Sequence, residues 1–332
     1  MEIAYSFFFP DHDDLKHYAR QLGIRKAVTN TESVAGSLNR YTPEWSYAPL
    51  FHVRQEMNSY GLEFAVLEGV NFIDSAKLGL PDRDEAIAHF CTLLENLSRL
   101  GVKTVCYNWM PIWGWFRTHP NVPLEGGATA TGFEYAACKD FPVTDFGRLK
   151  ADALWSNLEY FLKKVVPAAE KYKVRLAIHP DDPPVPSLGG IDRILTSADA
   201  MEQVTRLVPS EYNGITLCQG TFVAMGEDIP ACIRRFGKNG TLFFAHFRDL
   251  SNNSYEHFHE TFHHDGVTDM YECMKAYYEV HFDGCIRPDH VPTMYKDSNA
   301  HPGYGNNGNL LATGYMLGLM EAAKKEMGIN QG

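Results

Sequence analysis

The 332-residue chain has no apolar run approaching the roughly 18 residues that a bilayer-spanning helix needs, so no membrane is expected as its partner. It is short of positive charge. Thirty Lys and Arg against 41 Asp and Glu leave a formal net charge of −11, which argues against a nucleic-acid partner. Its seven cysteines are an odd number without a C-x-x-C pair, a pattern that fits a reducing cytoplasm better than a disulfide framework. Met1-Glu-Ile-Ala-Tyr carries no basic segment, and no signal peptide is expected. Repeats and low-complexity stretches are absent. No glycine-rich phosphate loop follows the first strand-like run, which leads into Phe9-Pro10-Asp11-His12. What these absences leave is a cytoplasmic globular chain with 45% hydrophobic residues, enough for a large core.

Strand-like and helix-like segments alternate along that chain. The strand candidates are Glu2–Phe9, Lys26–Thr29, Leu62–Leu67, Val102–Asn108, Val174–His179, Gly214–Gly220, Thr241–Arg248 and Cys285–Asp289. Between them, Asp82–Leu100 places Ile87, Phe90, Leu93, Leu94, Leu97 and Leu100 at helical spacing, opened by Pro81 and closed by Gly101. Phe146–Lys173, Ser197–Val208, Asp228–Phe236, Met270–His281 and Asn309–Met327 read as further helices. Eight strands alternating with helices predict an α/β fold, a (β/α)8 TIM barrel spanning 1–332 as one domain. A doubly wound sheet is the alternative, but it normally has fewer strands and often a glycine-rich first loop. One long irregular insertion runs from Trp109 to about Val143 after the fourth strand, the usual place for a lid or substrate-contact loop.

Four of the apolar runs end in a residue that binds metals: Val174–Ile178 in His179, Gly214–Leu217 in Cys218, Thr241–Ala245 in His246, and Cys285–Pro288 in Asp289. Each alone has an ordinary reading, a satisfied core histidine, a small buried hydrophobe or a turn cap. At the C-terminal ends of successive barrel strands they converge where barrel enzymes build their active sites. Two imidazoles, a thiolate and a carboxylate suit Zn²⁺, Fe²⁺ or Mn²⁺ better than Mg²⁺ or Ca²⁺. Four protein ligands could form a structural site, but an open barrel mouth leaves room for substrate oxygens, so a catalytic metal is expected. Nine of the fourteen histidines fall at or after His179. Phe258-His-Glu-Thr-Phe-His-His-Asp-Gly reads as a binding loop, with His259 a substrate-binding candidate, or as a merely solvated cluster. Arg287 and Asp289 alternate to one side of the last strand, so Arg287 is placed either to hold a substrate carboxylate or to form a surface pair with Asp289.

From about Gly61 to Gly318 the chain resembles the D-mannonate dehydratases, metal-dependent sugar-acid lyases of hexuronate catabolism with a xylose-isomerase-like barrel. The resemblance lies in Lys77-Leu-Gly-Leu-Pro-Asp-Arg-Asp, Val105-Cys-Tyr-Asn-Trp-Met-Pro, Ile178-His-Pro-Asp-Asp-Pro-Pro, Asn213-Gly-Ile-Thr-Leu-Cys, Phe258-His-Glu, Asp265-Gly-Val-Thr-Asp-Met-Tyr and Ile286-Arg-Pro-Asp-His. It implies that His179, Cys218, His246 and Asp289 bind the metal, Mn²⁺ or Fe²⁺. It also implies that His290 and Tyr304 are acid–base residues alongside Asp289, and that Arg117 belongs to the aromatic-rich substrate loop. Without the resemblance, Tyr304 reads equally as a surface residue on the last helix. The chain departs from the family's pattern at Tyr5-Ser-Phe-Phe-Phe-Pro, Gly114-Trp-Phe-Arg-Thr, Val291-Pro292 and Gln219-Gly-Thr, all around the expected substrate pocket, while the four ligands are intact.

The implied reaction converts D-mannonate to 2-keto-3-deoxy-D-gluconate and water. The partner is then a small-molecule sugar acid. Two rivals remain: a sugar isomerase or epimerase of the same superfamily, against which Cys218 counts, and a non-catalytic sugar-acid-binding relative. Seventeen Tyr and five Trp supply material for a homo-oligomer interface and are equally compatible with a monomer.

Overall fold

The structure, a computed structural model, describes residues 1–9, 13–37 and 42–329; Pro10-Asp11-His12 and the end of the 1–332 span lie outside the described residues. Thirteen strands are present among them: β1 (Glu2–Ser6), β2 (Lys26–Asn30), β3 (Glu63–Glu68), β4 (Thr104–Asn108), β5 (His119–Pro123), β6 (Thr129–Glu134), β7 (Arg175–His179), β8 (Ser187–Leu188), β9 (Ile191–Asp192), β10 (Asn213–Cys218), β11 (Leu242–Phe247), β12 (His257–His259) and β13 (Cys285–Pro288). Eight of these close a parallel barrel in chain order, β1-β2-β3-β4-β7-β10-β11-β13 and back to β1. The expected (β/α)8 architecture is the observed one.

The barrel forms because each strand buries both faces. Leu67, Val105, Leu176, Ile178, Leu217 and Ala245 point outward into one core with Phe90, Leu93, Leu94 and Leu97 of the helix Arg83–Arg99. The intervening residues point inward. Ala4, Val28, Val66, Cys106, Ala177 and Phe244 form a separate apolar plug inside the barrel. One step further along the same alternation, two residues on, come Glu68, Asn108, His179 and His246. Hydrogen-bond register brings neighbouring tips level: Asn108 pairs with His179, Cys218 with His246, and His246 with Arg287. Period-two geometry therefore converts a plugged barrel floor into a ring of polar side chains at its C-terminal mouth.

The insertion after β4 is more ordered than the sequence reading expects. β5 and β6 form an antiparallel hairpin, and β12, from the loop after β11, adds to its edge as His257↔Glu134, Phe258↔Phe133 and His259↔Gly132. A further bridge, Thr129↔Thr293, ties the hairpin to the loop after β13. The strand pattern was hidden because β5 is largely exposed and contains two prolines, while β12, the strand on the other edge of β6, lies more than a hundred residues away in sequence. Several boundaries also move. The first strand ends at Ser6 rather than Phe9, and the helix expected from Phe146 begins at Ala151. Residues 144–149 bond sideways, Thr144 N–H to Gly189 O and Leu149 N–H to Gly190 O, so they cannot start a helix. Among the described residues no helix is long and apolar enough to cross a membrane.

Candidate active site

The ligand atoms of His179, Cys218 and His246 lie within 4.8 Å of one another at the barrel mouth. Asp289 joins them, its Oδ2 being 3.8 Å from Cys218 Sγ and 3.5 Å from His246 Nδ1. His179 Nδ1 is 2.7 Å from the Pro180 carbonyl, which takes its N–H and leaves Nε2 with the free lone pair, the usual arrangement of a metal-binding imidazole. Both ring nitrogens of His246 are buried without a hydrogen-bond partner. Orphaned buried polar atoms of this kind are costly unless something completes them.

Electrostatics ask for the same completion. Three buried guanidiniums, Arg117, Arg248 and Arg287, face four carboxylates, Glu68, Asp182, Glu260 and Asp289. The balance of these groups is negative. Burial and Arg287 press the His246 pKa down, yet Glu68, Asp289 and Cys218 outweigh them and the net shift is upward. Positive charge is favoured at that point. His179 is shifted downward by burial and stays in the neutral form that binds metals. The residues present therefore fit a divalent cation of borderline softness.

Around the cluster lies a charged network that sequence reasoning only partly found. Arg117 reaches Asp182 at 2.5 Å and Glu260 at 2.9 Å; Arg248 reaches the same two carboxylates at 3.0 and 2.9 Å, closing a ring. Arg248 Nη1 also lies 3.2 Å from Cys218 Sγ and 3.4 Å from Asp289. Burial raises the Asp182 pKa, but the two guanidiniums overcome it and hold the carboxyl well below its usual range. Arg287 forks onto both oxygens of Glu68, at 2.7 and 3.0 Å, and onto Asp289 at 2.6 Å. Burial opposes ionisation of Glu68, yet Arg287 and His246 bring its pKa to about 2. Gly220 makes room for this network, since a Cβ there would come within 2.4 Å of Arg248 Nε.

Breaking the ring has a predictable cost. Glu260→Ala leaves Arg117 and Arg248 each short of a buried partner, and chemical denaturation is expected to show a loss of about 3–5 kcal/mol. A loss under about 1 kcal/mol would mean that water or Asp182 alone satisfies both guanidiniums.

His290 and Tyr304 line a cavity of about 470 Å³ together with His179, His246, Arg287 and Asp289. The His290 ring stacks on Trp115 with centroids 5.0 Å apart and meets the Tyr304 ring edge-on at 5.2 Å. Its backbone φ is +45°, and its Nδ1 is buried against Gly303, where a Cβ would come within 2.9 Å. Nε2 lies 3.6 Å from Asp289 Oδ1. Burial, with Arg248 and Arg117 reinforcing it against Asp289, lowers the His290 pKa to about 3. Tyr304 moves the other way: burial, Asp289 and Glu68 raise its pKa far above the ordinary phenol.

Of the residues singled out from sequence, His179, Cys218, His246, Asp289, Arg287, His290 and Tyr304 meet at this mouth. Arg287 lines the cavity and is paired with Glu68 and with Asp289, the latter as a buried pair and not the surface pair weighed from sequence. Arg117 is turned into the buried ring, and His259, on β12, does not line the cavity. Sequence reasoning missed Glu68, Asn108, Asp182, Arg248 and Glu260. Glu68 and Asn108 end β3 and β4 as His179 and Cys218 end β7 and β10, so the strand-end rule carried into the first half would have found them. Asp182 and Glu260 were inside quoted motifs with nothing to mark them, because their partners come from other loops.

A family model described as D-mannonate dehydratase (UxuA) matches residues 1–148 and 143–330. The mannonate dehydratase of Thermotoga neapolitana is 34% identical over 361 aligned residues, covering 98% of either chain. The crystal structure of mannonate dehydratase from Streptococcus suis serotype 2 superposes with a TM-score of 0.90 at 30% identity, over 100% of this chain and 96% of that one. A D-tagatose 3-epimerase-like protein shares the fold alone, with a TM-score of 0.65 at 12% identity over 98% and 100% of the two chains. These matches mark an enzyme, a hydro-lyase built on a (β/α)8 barrel. The chain belongs to the D-mannonate dehydratase family.

Proposed function

We propose that this protein removes water from D-mannonate, giving 2-keto-3-deoxy-D-gluconate, with a divalent metal, Mn²⁺ or Fe²⁺, held by His179, Cys218, His246 and Asp289. The observation that carries the reading beyond family membership is the pairing of His290 and Tyr304, ring centroids 5.2 Å apart, in the one cavity that also holds His179, His246 and Asp289.

The chemical difficulty is to take a proton from C2, next to a carboxylate, and to expel the hydroxyl from C3. The metal, when bound, would supply Lewis-acid stabilisation of the charge that develops beside the carboxylate. His290 is neutral through the physiological range, and with Nδ1 turned into Gly303 its Nε2 is the nitrogen open to a substrate. It is assigned as the base at C2. Tyr304 keeps its proton across the same range, which suits it to donate to the departing hydroxyl. Ring packing against Phe8 and His290 holds the phenol in place. Loss of water leaves an enol that tautomerises to the 2-keto acid.

Purified protein incubated with D-mannonate and Mn²⁺ is expected to yield a 2-keto-3-deoxy acid. A reducing sugar or an epimer as product would support the isomerase reading instead. A thermal shift without product would leave a sugar-acid-binding protein.

A further inference from the structure

Recognition of an anionic substrate needs donors, and the cavity offers few charged ones; its neutral amide donors are those of Asn30, Asn71 and Asn108. Arg287 is the sole guanidinium or ammonium among its described lining residues, and four of its five donor hydrogens are engaged by Glu68, Asp289 and the Pro288 carbonyl. Of the three amides, Asn108 is the one level with His179. It ends β4, two residues beyond the inward-facing Cys106, and pairs in register with the ligand His179.

The orientation of its amide is set by what surrounds it. Asn108 Oδ1 accepts from Lys77 Nζ at 3.1 Å and from the Met110 backbone N–H at 3.1 Å. A carbonyl oxygen has two lone pairs, so both are used. A backbone N–H can only donate. Flipping the amide would therefore set NH₂ against N–H and against the Lys77 amine. Lys77 is itself anchored, almost fully buried, by Asp74 at 2.8 Å. No described residue accepts from Asn108 Nδ2, while Asn108 lines the cavity. Two N–H donors thus face the space beside the ligand cluster. A donor-only group selects an acceptor-only group, and on a sugar acid that is the carboxylate, since every hydroxyl can also donate.

We propose that Asn108 is a substrate-binding residue whose amide N–H groups hold the carboxylate of the sugar acid, and that Lys77 is a positioning residue that keeps the amide in this orientation. The inference rests on the sugar-acid reading above and deepens it. As negative charge grows on the carboxylate during proton removal, these donors strengthen their hold.

Asn108→Asp tests this cleanly, because a carboxylate still accepts from Lys77 and Met110 while losing both donors. With Mn²⁺-loaded protein, the variant is expected to keep its melting temperature and metal content. Its affinity for D-mannonate should fall roughly 10- to 100-fold. Affinity for the uncharged D-mannonamide, whose amide can donate to the new carboxylate, should fall far less, shifting the preference between the two by at least about tenfold. Lys77→Met should raise KM for D-mannonate several-fold with kcat little changed. Equal losses for acid and amide, or unaltered mannonate binding, overturn the proposal, as does a Lys77→Met change confined to kcat. A parent that binds mannonate without turnover refutes the dehydratase reading, yet the binding comparison still decides the role of Asn108. A parent that binds no mannonate overturns both.

Discussion

Tyr304→Phe is expected to lose roughly 10²- to 10⁴-fold in turnover of D-mannonate, the range for general acid–base groups, with metal content and melting temperature near those of the parent. The substitution deletes one oxygen. The ring contacts with Phe8 and His290 at 5.7 and 5.2 Å are edge-on packing that phenylalanine reproduces. The hydroxyl is not needed for the fold, because no described protein group is bonded to it through the contacts that hold the ring. Its pKa, raised by burial and by the nearby Asp289 and Glu68, keeps it a donor at any pH the enzyme meets. Single-turnover kinetics would separate this loss from an effect on product release. Near-normal turnover would remove Tyr304 from the mechanism and leave His290 as the principal proton-transfer residue.

Cys218→Ala is expected to lower metal affinity by more than the roughly 10–100-fold that outer partners of a metal ligand contribute, and turnover with it. The barrel should stay folded. Cys218 is fully buried, but its sulfur lies among polar groups, Arg248 at 3.2 Å, Thr221 at 3.2 Å and Asp289 at 3.8 Å, rather than in the apolar plug. Arg248 keeps Asp182 and Glu260 when the sulfur is gone. Elemental analysis after dialysis reads the outcome directly. Full metal content would show that Cys218 is not a ligand and would undo part of the strand-end argument. Chelation of the parent should abolish activity, with Mn²⁺ or Fe²⁺ restoring it. His179→Ala and His246→Ala should behave as Cys218→Ala does.

The barrel was legible because its strands are buried on both faces and so read as continuous apolar runs, as Gly214–Leu217 and Thr241–Ala245 do. The same runs made His179, Cys218, His246 and Asp289 visible, since a polar residue at the end of a buried strand breaks the pattern where the barrel opens. The insertion was harder. His119–Pro123 lacks alternation because most of it faces solvent, and its sheet is completed by His257–His259, which no local pattern can anticipate.

Sequence alone determined which residues stand at the strand ends, because side-chain direction in a strand repeats every two residues and burial imprints that repeat on composition. Only the tertiary structure decided what those residues meet. Arg117 and Asp182 are 65 residues apart and Arg117 and Glu260 are 143 apart, yet they form one ring. Arg287, read as free for substrate or paired with Asp289, also forks onto Glu68 from 219 residues away. Asn108 shows the division most plainly: its place beside His179 follows from alternation, but which end of its amide faces the cavity depends on Lys77, brought there by the short helix Asp74–Leu78. Charge pairing and hydrogen-bond direction depend on distances in space, and a chain that closes into a barrel sets those distances between segments whose local sequences carry no trace of one another.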